Sequence, residues 1–282
     1  MEGIIRHNAS DLVLKVRKSY DPSKLNLNEW DDYLDILCGT REYQKEAIKT
    51  AIIYLAAGEY TAINDLAKEN YKNNYDLQGL YKNIDDFTSR LPMPGKLSGV
   101  IDLATGTGKS YVIYGIAQIM LSLQIVTKVL VLCPSLTIEA GLMKKFKEKA
   151  SDSRLKASIP ESTLFKNPRI IDANSTIKDG DICIENIHSV YDGARSSIVD
   201  SLKTCGEKTL VLSDEVHHAY NSSGENDIRK WKAFLVSSDY SFKYMLGFTG
   251  TAYIENEYFP DVIYRFSLKV NITFEENHDS DI

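Results

Sequence analysis

A glycine-rich stretch between an apolar strand and an apolar helix constrains the fold of this chain more than any other feature. The stretch reads "SGVIDLATGTGKSYVIYGIAQIM". Gly106 and Gly108 let the backbone turn tightly and bring amide N–H groups onto an anion at a helix N-terminus. The pattern G-x-x-x-x-G-K-[ST] fits at Gly108, Lys109 and Ser110, whereas its first glycine falls on Leu103. The sequence predicts a phosphate-binding loop, in which Lys109 reaches the β- and γ-phosphates of ATP and Ser110 binds Mg²⁺.

An acidic pair forms the second candidate motif, in "TLVLSDEVHHAY". Three apolar residues, Leu210 to Leu212, and then Ser213 lead to Asp214 and Glu215, as expected of a buried strand that delivers carboxylates at its carboxyl end. There Asp214 can hold Mg²⁺ through water, and Glu215 can polarise the attacking water. A helix N-terminus would explain the same pair without function, but a phosphate loop upstream favours the catalytic interpretation.

Two other interpretations of this stretch are possible. His217 and His218 could be zinc ligands, although no Cys/His pair at ligand spacing accompanies them. Ser213, Asp214 and His217 could form a hydrolase triad. That triad would lack the G-x-S-x-G elbow, and residues so close in sequence rarely converge on one substrate.

The remaining pattern predicts an α/β fold. Apolar strands alternate with helices, which indicates a mostly parallel central sheet with helices on both faces. The expected strands are "GVIDLA", "KVLVLCP", "DICIENI", "KTLVLSDE" and "YMLGFTGTA". Residues 59–97 are rich in Asn, Tyr, Asp and Lys, and are predicted to be an insertion with two helices.

Amino-acid composition limits which partners the protein is expected to bind and in which cellular compartment it is expected to act. The formal net charge is −6 and the pI about 5.5, which argues against binding nucleic acid through bulk positive charge but allows a local basic groove. The four cysteines lie far apart and form no C-x-x-C pair, which indicates reduced thiols and a cytoplasmic protein. The N-terminus lacks the apolar core of a signal peptide. The longest apolar stretch, "YVIYGIAQIMLSLQIV", has only 16 residues, so no membrane span is expected.

Three motifs together resemble a known family. "DLATGTGKS", "DEVHH" and "GFTGTA" are similar to motifs I, II and III of superfamily 2 helicases and translocases. The resemblance is closest to the DEAD/DEAH-like branch that contains the restriction subunits of type III restriction–modification systems. In that branch the first glycine of the loop is often absent. The resemblance covers about residues 40–268 and implies the first RecA-like P-loop domain of an ATP-driven motor.

The resemblance also implies roles for individual residues. "REYQ" resembles the adenine-recognising motif, with Gln44 on the adenine edge and Arg41 near the nucleotide. In motif III, the hydroxyls of Thr249 and Thr251 would link the Mg²⁺ and Glu215 site to nucleic-acid contacts, and His217 would join that linkage. The implied nucleotide-binding residues of the loop are Thr105, Gly106, Thr107, Gly108, Lys109 and Ser110.

Two segments are candidates for DNA contacts by the same resemblance. "VLVLCPSLTIEAG" resembles motif Ia, in which Pro134 and Ser135 lie against the sugar–phosphate backbone of one strand. "ENIHSVYDG" occupies the place of a second strand-contacting segment, with Asn186 and His188 as candidates. An aromatic residue upstream of "REYQ", either Trp30 or Tyr33, could stack on the base, although a core position explains it more simply.

The expected domain order is a lead-in at 1–39, the first RecA-like domain at 40–268, and an exit linker at 269–282. "FPDVIYRFSLK" is expected to lead toward a second motor domain that these residues do not contain, so the chain alone would hydrolyse ATP weakly. The resemblance implies duplex DNA, further motor and nuclease domains, and a methyltransferase subunit as partners. Alternatives are a helicase of another anti-phage or repair system, a switch or remodelling ATPase that binds no nucleic acid, and a binding-only module.

Overall fold

A parallel sheet forms the centre of the molecule in the computed structural model, which describes residues 8–172, 174–190, 197–220, 226–254 and 257–267. Within these ranges seven parallel strands are ordered β3-β4-β2-β5-β6-β1-β9, and β7 and β8 form a separate antiparallel pair. The strands are β1 Leu97–Leu103, β2 Lys128–Cys133, β3 Arg169–Ile171, β4 Asp181–Asn186, β5 Thr209–Asp214, β6 Tyr244–Thr249, β7 Tyr253–Ile254, β8 Glu257–Tyr258 and β9 Val262–Phe266.

Helices connect and cover the strands. The α-helices are α1 Asp31–Cys38, α2 Glu42–Ala56, α3 Ile63–Asn73, α4 Tyr75–Leu80, α5 Ile84–Ser89, α6 Lys109–Ser122, α7 Leu136–Ser151, α8 Ser153–Ala157, α9 Ser197–Leu202, α10 His217–Tyr220 and α11 Asn226–Val236. Short 3-10 helices occur at Ala9–Asp11, Leu27–Trp30, Ile187–Val190 and Gly206–Lys208. Every residue of β1 and β5 is buried, so both faces of these strands are covered, which confirms the predicted α/β class.

The strand order brings the three motif-bearing strands together. β6 pairs with β5 on one side and with β1 on the other. Asp102 is in register with Thr249, and Asp214 is in register with Phe248. Because all three strands are parallel, their carboxyl ends lie side by side at one edge of the sheet. The phosphate loop, the acidic pair and the "TGT" segment therefore share one site.

The described part of the lead-in packs into the same core as the sheet. The Leu14 N–H donates to the carbonyl of Val262 at 2.8 Å, and Leu14 is fully buried. Trp30 and Tyr33 are also buried and meet edge to edge, with ring centroids 5.4 Å apart. These two rings are core residues, and neither stands ready to stack on a base.

Two strands of the sheet, β3 and β9, and the insertion differ from the sequence-based expectation, which included neither strand. The segment "FPDVIYRFSLK", expected to be an exit, contains β9, an edge strand that pairs with β1. A five-residue edge strand with a charged residue in it gives too weak an apolar pattern to be distinguished from a linker. The insertion at 59–97 contains three helices where two were expected. The predicted linker at 269–282 lies outside the described residues.

The cysteines are reduced, and their environments differ. Cys38, Cys133 and Cys183 are buried, whereas Cys205 is partly exposed. Burial raises the pKa of the Cys38 and Cys133 thiols to about 12, so neither forms a thiolate near neutral pH. Among the helices in the described ranges, none combines the length and the apolar character needed to cross a bilayer.

Candidate nucleotide-binding site

The phosphate loop joins β1 to α6 with two residues in the left-handed conformation. Gly106 has a φ of +83°, and Gly108, which precedes the first residue of α6, has a φ of +81°. Between them the Thr107 hydroxyl donates to the Ala104 carbonyl at 2.6 Å, which closes the turn. These conformations strain any residue with a side chain, so the two glycines are required by the loop's shape.

A cleft of about 380 Å³ opens beside this loop. It is lined by Gly106, Gly108, Lys109, Ser110, Ile138, Gly141, Leu142, Lys145 and Asp214. The lining therefore combines backbone amides, two lysines and a carboxylate. This donor set suits a polyphosphate with a hydrated divalent cation between phosphate and carboxylate.

Lys109 and Glu215 form an ion pair across the cleft. Lys109 Nζ lies 2.9 Å from Glu215 Oε1, and their side chains are 12% and 25% exposed. Glu215 has a φ of +52°, an uncommon conformation for a residue with a side chain. The Val216 N–H donates to the Phe248 carbonyl at 3.0 Å, which ties the chain just after Glu215 to β6. The backbone thus turns sharply after β5 and directs the Glu215 carboxylate at the lysine.

Asp214 sits deeper than Glu215. Burial is the largest cause that raises its pKa to about 6, with a further contribution from the charge of Glu215. Lys109 and Lys145 act in the opposite direction. Because burial makes the Asp214 carboxylate costly to ionise, a bound cation would stabilise its charged form strongly, as is typical of a metal ligand.

His217 connects the acidic pair to the "TGT" segment. His217 Nδ1 lies 2.9 Å from Thr249 Oγ1 and 3.5 Å from Glu215 Oε2. The Thr251 N–H donates to Thr249 Oγ1 at 3.0 Å. Burial, followed by the neighbouring His218, lowers the pKa of His217, so the imidazole is neutral at physiological pH. The structure therefore brings all six predicted catalytic residues together: Lys109, Asp214, Glu215, His217, Thr249 and Thr251.

The "TGT" segment also touches the phosphate loop directly. A Cβ added to Gly250 would lie 3.0 Å from Thr105 Oγ1, 3.1 Å from Thr105 N and 3.2 Å from Leu103 O. Two of these three atoms belong to the backbone and cannot rotate away. Gly250 therefore lets the two motifs pack backbone to backbone, a contact that neither motif predicts by itself.

Gln44 lies against the loop. Its Nε2 donates to the Thr107 carbonyl at 2.6 Å, and the Tyr43 hydroxyl donates to the same carbonyl at 3.0 Å. Gln44 Oε1 is buried and has no hydrogen-bond partner among the described residues. Arg41 lies 5.9 Å from the centroid of the Tyr111 ring. The adenine role of Gln44 and Arg41 stays a prediction.

Tyr43 was missed by the sequence analysis. Its ring stacks on Phe266 with centroids 4.0 Å apart, so α2, the end of β9 and the loop meet at one residue. The only sequence signal for this role is its position beside Gln44.

A buried ionic contact supports the strand beneath the loop. Asp102 Oδ2 accepts hydrogen bonds from Arg265 Nη1 at 2.8 Å and from the Tyr258 hydroxyl at 3.0 Å. Burial raises the pKa of Asp102 while Arg265 opposes that shift. The Arg265 guanidinium is therefore occupied by its ion pair with Asp102. Together these contacts connect β1 to β9 and β8.

The predicted DNA-contact residues lie along the same edge of the sheet. Cys133 is in register with Asn186, so Pro134 and Ser135 lie beside it. Ser135 caps α7, its hydroxyl accepting from the Ile138 N–H at 3.4 Å. The Asn186 amide is buried and donates to Glu139 Oε2 at 2.8 Å, whereas His188 is exposed. DNA contact by these four residues stays a prediction, and Asn186 already has a structural role.

Comparison with known proteins now decides the family. The family described as "Type III restriction enzyme, res subunit" matches residues 37–254. The chain belongs to this family. The match spans β1 to β6 and includes all three motif-bearing strands, in agreement with the predicted resemblance to superfamily 2 motor domains. No curated protein matches the chain.

Solved structures with some similarity include a helicase and a restriction enzyme. The UvsW helicase from bacteriophage T4 is 15% identical over 60% of this chain and 51% of its own, with a TM-score of 0.35. The ATP-dependent type ISP restriction–modification enzyme LlaBIII bound to DNA is 12% identical over 59% of this chain and 14% of its own, with a TM-score of 0.40. The chain therefore spans about half of the UvsW structure and a small part of LlaBIII.

Proposed function

We propose that this member of the res-subunit family is the first motor domain of an ATP-driven DNA translocase of a type III restriction–modification system. The observation that carries the proposal is the continuous set of contacts from Lys109 through Glu215 and His217 to Thr249. Such contacts connect the phosphate loop to the "TGT" segment. A change in the bound nucleotide could therefore shift this segment and, through it, more distant parts of the motor.

The nucleotide would be held by the loop amides of Gly106 and Gly108 and by the Lys109 ammonium. The Ser110 hydroxyl and Asp214 would hold Mg²⁺. Mg²⁺ in that position neutralises phosphate charge as the terminal bond breaks. Lys109 would exchange its present partner, Glu215, for phosphate oxygens, and Glu215 would then be free to orient the attacking water.

Full hydrolysis would need groups from outside these residues. Arginines that stabilise transition-state charge contribute about 10³–10⁵ in rate in related phosphoryl-transfer enzymes. Arg265 is held by Asp102 at 2.8 Å and is therefore not available for that role. We infer that a second motor domain supplies such arginines, and that this chain alone binds Mg-ATP and turns it over slowly. A nuclease domain and a methyltransferase subunit would complete the system in the cytoplasm.

A second candidate function is a switch ATPase without nucleic acid. The net charge of −6 favours it, because bulk attraction to DNA is absent. Pro134, Ser135 and His188 at the edge of the sheet favour DNA, since such positions are suited to backbone contacts.

The test separates nucleotide binding from DNA binding. Mg-ATP binding and duplex DNA binding would be measured for the wild type, for Lys109→Ala and for Lys147→Ala, an exposed lysine on α7. We expect Lys109→Ala to lose Mg-ATP binding by at least about 100-fold, and all three proteins to bind DNA with an affinity that falls as salt rises. Wild-type protein that binds Mg-ATP but no DNA at low salt would favour the switch ATPase.

A further inference from the structure

A lysine outside all the motifs faces the nucleotide cleft. Lys145, on the second half of α7, lines the cleft together with Gly106, Gly108 and Asp214. Its side chain is exposed, and no carboxylate of the described residues lies within the 4 Å of an ion pair. The phosphate loop, the acidic pair and the "TGT" segment all lie at the ends of strands, so a helix residue at this position is not part of any of them.

A second lysine follows one turn later and is buried. Lys149 is only 8% exposed, and its ammonium lies 3.9 Å from the centroid of the Tyr111 ring. It, too, lacks a carboxylate at ion-pair distance in the described part of the chain. Burial lowers the pKa of Lys149, and the charge of Lys145 lowers it further. Two like charges at i and i+4 on a helix repel each other, so this pair is unfavourable unless an anion lies beside it.

The two lysines border the loop on its α7 side. Tyr111 Cδ2 lies 3.4 Å from the position that a Cβ on Gly108 would take, so the ring under Lys149 abuts the loop itself. Lys145 is also near enough to Asp214 to lower its pKa, although the two form no direct ion pair. Two lysines without an ion-pair partner among the described residues therefore lie on the α7 side of the cleft, and the charge of Glu148 offsets their repulsion only in part. A polyphosphate in the cleft would relieve this repulsion.

We propose that Lys145 is a second phosphate-binding cation of the nucleotide site, acting beside Lys109, with Lys149 as a neighbour that reinforces the positive field. This inference rests on the proposed function, because it assigns a further residue to the same nucleotide. It also supplies, from within this domain, positive charge that the motifs alone do not account for.

The test measures Mg-ATP binding to the 282-residue chain by calorimetry, with Mg-tripolyphosphate as a competitor that carries phosphates but no base. Lys145→Gln removes the charge, Lys145→Arg keeps it, and Lys144→Gln removes a neighbouring exposed charge that does not line the cleft. Thermal unfolding of each variant checks that it is folded.

We expect Lys145→Gln to weaken both Mg-ATP and tripolyphosphate binding about tenfold, as the loss of one charge-assisted contact. Lys145→Arg and Lys144→Gln should stay within about threefold of wild type. Wild-type affinity in Lys145→Gln would overturn the inference, as would an equal loss in Lys144→Gln or a loss confined to Mg-ATP. Wild-type protein that binds no Mg-ATP would instead refute the proposed function, and this inference with it.

Discussion

At the scale of single residues, the Lys109–Glu215 pair has two consequences. The pair gives each of two mostly buried charged groups an ionic partner, and it occupies the lysine that the proposed nucleotide would need. Binding of a phosphate must therefore compete with Glu215. The same competition would release the carboxylate only when the site is filled, which limits unproductive activation of water.

Glu215→Gln tests this competition. We expect Mg-ATP affinity to rise roughly fivefold, because about 1 kcal/mol of attraction between Lys109 and the carboxylate is removed. Calorimetric titration of the variant measures the change. Glu207→Gln, which removes the same charge at an exposed position, should bind as wild type does. Unchanged or weaker binding by Glu215→Gln would show that the pair does not oppose the nucleotide.

At the scale of elements, three adjacent strand ends carry the site, and their spacing depends on one close approach. Gly250, just after β6, packs on the backbone of Thr105 and Leu103. A movement of the "TGT" segment would therefore be transmitted to the phosphate loop by contact. The link between the two motifs is steric as well as hydrogen-bonded.

Gly250→Ala should disrupt this packing. The added methyl group meets two backbone atoms at 3.1 and 3.2 Å, so we expect the free energy of unfolding to fall by about 1–3 kcal/mol. Urea denaturation measures it. Gly95→Ala is the matched control, since a Cβ there has no neighbour within 4 Å, and its stability should be unchanged or higher by up to about 1 kcal/mol. Equal stability of Gly250→Ala and wild type would contradict the close approach.

The strands also show how much of the structure could be predicted from the sequence. Long apolar runs such as "KTLVLSDE" define buried parallel strands, and each of the five expected strands is present. β9 was missed because a short edge strand buries too little to show a pattern. The contact of Asp102 with Arg265 joins residues 163 positions apart. Such pairings depend on the strand order, which local periodicity does not encode.

At the scale of the whole molecule, a buried acid lies at the end of the sheet away from the candidate nucleotide site. Asp261, just before β9, is fully buried, and its Oδ2 accepts from the Tyr220 hydroxyl at 2.9 Å. Its Oδ1 has no hydrogen-bond partner among the described residues. Burial raises the pKa of Asp261 to about 6. The folded state therefore holds this proton more tightly than the unfolded chain does.

Asp261→Asn should change how stability depends on pH. In the wild type, the unfolded chain loses this proton near its usual pKa of 3.8 and the folded protein near 6, so stability falls as pH rises between them. The asparagine side chain of the variant does not titrate, so the variant does not lose stability in this way as pH rises. Relative to wild type, its unfolding free energy should gain up to about 3 kcal/mol between pH 4 and pH 7. Urea denaturation across that range measures it. Asp239→Asn, at an exposed position, should show no such trend.

The distribution of the thiols makes the molecule suited to site-specific labelling. Three of the four cysteines are buried, and Cys205 alone is partly exposed. Cys205 precedes β5, at the opposite end of that strand from Asp214, roughly 20 Å away for six residues of extended chain. A maleimide fluorophore attached there would leave the cleft unobstructed, so the native protein already carries an attachment point for optical measurements of nucleotide binding.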